Sequence, residues 1–105
     1  MFIPDRTRPL IESVSIGSTV VFGRTLASTG NAVQLTSSDK DLKNGVIVQA
    51  LSTNADSVYI GDSGVTTSNG FELQAGQATS IAVDNINKLY LAGTTGDGVC
   101  WLGAN

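Results

Sequence analysis

The chain has 105 residues, 41% of them hydrophobic and 14% charged, and a net charge of −3. That length suits one domain. The composition is too apolar for a disordered chain, and the charge lacks the basic face that nucleic-acid backbones require. So few charges leave two ways to stay soluble: a Ser/Thr/Asn-rich surface, which is present, or a partner that covers apolar surface.

The first twelve residues, "MFIPDRTRPLIE", differ from the rest. Pro4 and Pro9 are the only prolines, and each disfavours helical angles in the residue before it, so Ile3 and Arg8 should be extended. Residues 1–12 are read as an arm reaching up to about 40 Å. Phe2 and Ile3 supply apolar anchors at its tip, and Arg6 and Arg8 supply cations that meet carboxylates on a partner. With Arg24 they are the only arginines, so the first 24 residues carry +1 and the remainder −4. Arg6 and Arg8 interrupt any apolar core of a signal peptide, and no run is long enough to span a bilayer. The expected place of synthesis is the cytoplasm.

Residues 13–105 read as one β domain. "SVSIG" and "STVVF" alternate apolar and polar residues and precede "GRTLASTGN". "AVQLT" follows, then the polar run "SSDKD". Within "SDKDLKN" there is room for one helical turn and no more. In "GVIVQALS", Val46, Val48 and Ala50 face one way, and Ile47, Gln49 and Leu51 the other. "SVYIG" puts Val58 and Ile60 on one face, and "GFELQ", "SIAVD", "KLYLAG" and "GVCWLG" repeat the alternation. No window has the spacing of an amphipathic helix. Short strands with turn signals every eight to twelve residues predict an all-β fold, a single antiparallel β-sandwich of jelly-roll type.

The chemical motifs are few. "GDSG" at residues 61–64 spells the surroundings of a protease nucleophile, but Ser63 needs a base, and the chain has no histidine. The string reads better as the turn after a strand. Asp62, Asp84 and Asp97, with Asn54, Asn69 and Asn85, offer oxygen ligands for calcium without the loop spacing that a calcium site uses. Glu12 and Glu72, the only glutamates, are unlinked. Tyr59, Tyr90 and Trp101 could form a sugar-binding platform, although core packing accounts better for Trp101. Cys100 is the sole cysteine and reads as a small apolar side chain. The expectation is a protein without cofactor, metal or catalytic residues.

The stretch "VIVQALSTNADSVYIGDSGVTTSNGFELQAGQATSIAVDNINKLYLAGTTGDGV" resembles small β-sandwich proteins encoded among the virion genes of tailed bacteriophages and prophages. The features that carry the likeness are Ala50-Leu51, Asn54, Val58-Tyr59-Ile60-Gly61, Asn69-Gly70, Leu73 with Gly76, Asp84, Leu89-Tyr90 and Gly98-Val99. They span roughly residues 30–102 and leave the arm outside. The resemblance implies a structural virion component, a head decoration or cement protein bound across major capsid protein subunits. It further implies a homo-oligomer, a trimer by preference, with the virion as its location. A tail or baseplate component and a carbohydrate-binding module are the rival readings.

Overall fold

A computed structural model describes residues 19–105. The arm read at residues 1–12, with Phe2, Ile3, Arg6 and Arg8, and the "SVSIG" strand lie outside the described residues. The elements are β1 (Val20–Leu26), β2 (Val33–Gln34), β3 (Val46–Ala50), β4 (Val58–Gly61), β5 (Phe71–Leu73) and β6 (Ala78–Ile81). A 3-10 turn (Ile86–Lys88), β7 (Tyr90–Ala92) and β8 (Gly98–Ala104) complete the chain.

Two four-stranded antiparallel sheets form, in the orders β1-β8-β3-β6 and β2-β7-β4-β5. The pairs β1–β8, β2–β7, β3–β6 and β4–β5 all exist. The chain is therefore one long hairpin, its tip at the β4–β5 connection, rolled so that successive strand pairs alternate in lying across the two sheets. This is the jelly-roll arrangement. The all-β expectation holds, and the strand order is what the sequence could not supply.

Period-two alternation builds the core. Val46, Val48 and Ala50 on β3 and Val99 and Trp101 on β8 point inward from the first sheet. Val58, Ile60, Leu73 and Leu91 answer from the second, and Leu35, Leu42, Ile86 and Leu89 join the same cluster. Val48, Val58, Leu91 and Val99 are fully excluded from solvent, and each contributes roughly 1.5–3 kcal/mol relative to exposure.

The structure corrects two readings. "SDKDLKN" forms no helical turn: Asp41 bridges to Asn85, and the Asn85 side chain accepts from the Lys40 amide, which holds this stretch against the 3-10 turn. The Asn85 side chain also accepts from the Asn87 amide and caps that turn, so the helical turn falls there instead. Finally, β1 does not stop at Gly23 but continues through it to Leu26. Gly23 pairs with Trp101 across the strands, and a Cβ on it would lie 2.4 Å from Trp101 Cζ2. The glycine makes room for the indole and does not break the strand.

A glycine with the opposite job is Gly45, which has φ +79 and follows Asn44 at φ 68. A Cβ there would stand 2.3 Å from the Ile81 carbonyl oxygen. This left-handed pair delivers the chain into β3, and asparagine and glycine tolerate that conformation best.

Candidate interaction surface

Of the sequence-predicted polar candidates, Asp62, Asp97, Asn54, Asn69 and Asn85 hold turns and loops through side-chain hydrogen bonds. Ser63 is exposed in a turn where the Asp62 carboxylate accepts from the Gly64 amide at 2.9 Å and the Asp62 carbonyl accepts from Val65. Asp97 is buried, and its two carboxylate oxygens accept from the amides of Ala55 and Asp56 at 2.9 and 3.0 Å. Asn54 both donates to the Gly98 carbonyl and accepts from its amide, so the loop after β3 is stapled to the start of β8. Asn69 accepts from Thr66 and donates to Gly64. The Asn85 amide group donates to Asp39 and Asp41. Asp84 pairs with Lys88 Nζ at 2.6 Å on the surface, and the lysine holds its carboxyl below the ordinary value. Among the described residues, no three His, Cys, Asp or Glu side chains converge on a metal position.

Trp101 packs in the core and offers no platform. Tyr59 and Tyr90 are half-buried on the outer face of the second sheet, on the adjacent strands β4 and β7 and opposite Ala92 and Gly61 respectively. Glu72 lies beside Tyr59, and Gln34 beside Tyr90.

The outer face of the first sheet is different. Register places Phe22 beside Leu102, Leu102 beside Ile47, and Ile47 beside Ser80, in one row across all four strands. The next row holds Arg24, Cys100, Gln49 and Ala78. Val20 and Leu26 close the β1 side. Phe22 is 73% exposed, Val20 60%, Leu26 and Leu102 54% and Ile47 50%. Among the described residues, five of the six exposed large apolar side chains thus share one sheet face. Arg24 is the one charge on these strands' outer positions among the described residues. A shallow depression of about 400 Å³ runs beside Val20, Ile47, Leu102 and Ala104, with Lys43 at its rim.

The four strands lay out a face of about 360 Å², at ~3.3 Å per residue and ~4.8 Å between strands. Five large apolar side chains share that area with Arg24, Gln49 and Ser80, which makes it a candidate contact surface.

No family model, curated protein or solved structure matches this chain. The surface is read from its own chemistry.

Phe22, Ile47 and Leu102 were not among the residues that sequence reasoning singled out. A signal existed. "GVIVQ" is apolar on both faces of its strand, and "TVVFGRTL" and "GVCWLG" carry large apolar residues at both parities. A strand with one side in the core and an apolar other side predicts a second covering layer.

The sixth exposed apolar side chain among the described residues, Phe71, lies on β5 of the second sheet. It lines a cleft of about 390 Å³ with Ile60, Ile81 and Leu89, where the β5 and β6 edges meet.

Proposed function

We propose that this chain is a non-enzymatic structural protein of a tailed-bacteriophage virion, a head decoration protein that binds across major capsid protein subunits. The observation that carries the reading is the exposed apolar row Phe22–Leu102–Ile47 on a sheet whose other face is already buried. A protein that works by adhesion needs such a face, and a freely soluble domain does not. The jelly roll is an architecture of viral capsid and lectin domains, although folds host many functions and this point is an analogy. The likeness of residues 30–102 to virion proteins points the same way.

In this reading the sheet face supplies apolar contact. The arm, through Phe2, Ile3, Arg6 and Arg8, adds anchors and charge pairing on the neighbouring capsid subunit. Repetition over the shell multiplies individually weak contacts. The test is co-sedimentation of the full chain, and of a chain lacking residues 1–12, with shells assembled from the capsid protein of the same genome. Saturable binding at hundreds of copies per shell, reduced by the deletion, is expected. Tens of copies on intact particles would indicate a tail component instead, and no binding to shells would overturn the proposal.

The carbohydrate-binding reading keeps one specific support, the neighbouring Tyr59 and Tyr90 on the outer face of the second sheet. Glycan binding lost on Tyr59→Ala would favour it.

A further inference from the structure

β1 is an edge strand of seven residues, whereas the other three sheet edges, β2, β5 and β6, have two, three and four. Folded proteins blunt long edges with proline, lysine, bulges or a covering element, because unpaired main-chain groups recruit other strands. "VVFGRTL" has none of the sequence devices except Arg24, and among the described residues nothing pairs with its free side. Which groups face that side follows from the ladder. Thr19 and Asn105 exchange two main-chain hydrogen bonds, so alternation turns Val21, Gly23 and Thr25 toward β8. The N–H and C=O groups of Val20, Phe22, Arg24 and Leu26 point outward.

We infer that β1 pairs antiparallel with β1 of a second copy about a two-fold axis at Gly23, joining two four-stranded sheets into one of eight strands. The sequence is self-complementary in that register. On the outer face Val20 stands opposite Leu26 of the other copy, and Phe22 opposite its Arg24, a cation over an aromatic ring, formed twice. The four outward-pointing residues of each copy meet their counterparts to give about eight main-chain bonds. Other registers that keep the inner and outer faces matched are worse. Shifting the centre to Arg24 sets that cation against itself. Shifting it to Phe22 leaves Thr25 and Leu26 opposite residues before β1.

The pairing also extends the face. The two outer faces, each with its Phe22–Leu102–Ile47 row, then lie side by side in one eight-stranded sheet of about 730 Å² in projection. A two-fold pair differs from the trimer that the virion resemblance implies, and the inference stands without that resemblance.

The test uses the full chain in solution. Sedimentation equilibrium should give twice the 10.8 kDa chain mass. In this register the two Cys100 Cα atoms lie about 16 Å apart, so a short bis-maleimide should link them into a covalent dimer. Phe22→Lys, at an exposed position, sets lysine against Arg24 of the other copy at two symmetric places and should raise the dimer dissociation constant at least about tenfold. Adding Arg24→Glu makes each pair attractive and should restore it to within about threefold of wild type. Circular dichroism confirms that the variants fold. A monomer or a trimer overturns the inference, as does a dimer that Phe22→Lys leaves unchanged, that Arg24→Glu fails to rescue, or that Cys100 cannot link.

Discussion

Gly23→Ala tests how the first sheet is packed. The added methyl would lie 2.4 Å from Trp101 Cζ2 and 2.9 Å from Cε2 and Cη2. The indole is 7% exposed, so it cannot swing away without disturbing the core. Overpacking of this kind costs about 1–3 kcal/mol, and alanine's smaller unfolded-state entropy returns about 0.4–1 kcal/mol. The net loss is about 1–2 kcal/mol, a fall in Tm of about 4–16 °C for a body of this size. Thermal and urea unfolding followed by far-UV circular dichroism measure it. Trp101→Phe provides the second leg of a double-mutant cycle. It removes the atoms that clash, and with them an indole N–H that is buried without a partner among the described residues. In that background Gly23→Ala should cost almost nothing, giving a coupling of about 1–2 kcal/mol. Gly23→Ala at wild-type stability, or strict additivity with Trp101→Phe, would refute the packing described.

Asp97→Ala strips the acceptors from the Ala55 and Asp56 amides and should cost about 2 kcal/mol or more, with hydrogen-exchange protection lost at those two amides; Asp97→Asn, which keeps one acceptor, should cost less. The Asp84 carboxyl should titrate below 3.8 because of its hydrogen bond and charge pairing with Lys88, and Lys88→Met should return it toward that value by NMR. Since the folded-state pKa is the lower one, any contribution of this pair to stability is present above the unfolded value and lost as pH falls through the folded one. The pair is exposed and should weaken with salt.

Most of the secondary structure was legible because strands such as β3 and β4 alternate buried residues with more exposed ones. The Val46/Val48/Ala50 and Val58/Ile60 sets follow directly from period two. Strand order was not legible: it depends on which strands meet after the hairpin rolls, and no local pattern records that. Gly23 misled because a strand glycine and a turn glycine look alike until the facing residue, here Trp101, is known. The reading of "GDSG" as a turn after a strand holds, and Asp62 and Gly64 display its geometry. The interaction face was written in the sequence as apolar residues at both parities of β1, β3 and β8. It becomes a patch only when register brings Phe22, Leu102 and Ile47 into line.

The most direct measurement is the shell-binding isotherm of Leu102→Ser against that of the wild-type chain, with Tm recorded for both. Leu102 is half exposed at the centre of the row, so the serine should lower Tm by only a few degrees and leave the chain folded. If the face is the adhesive surface, losing a central apolar contact should weaken binding by about 10- to 100-fold. An isotherm that superimposes on the wild-type curve would show that capsid contact runs through some other part of the molecule.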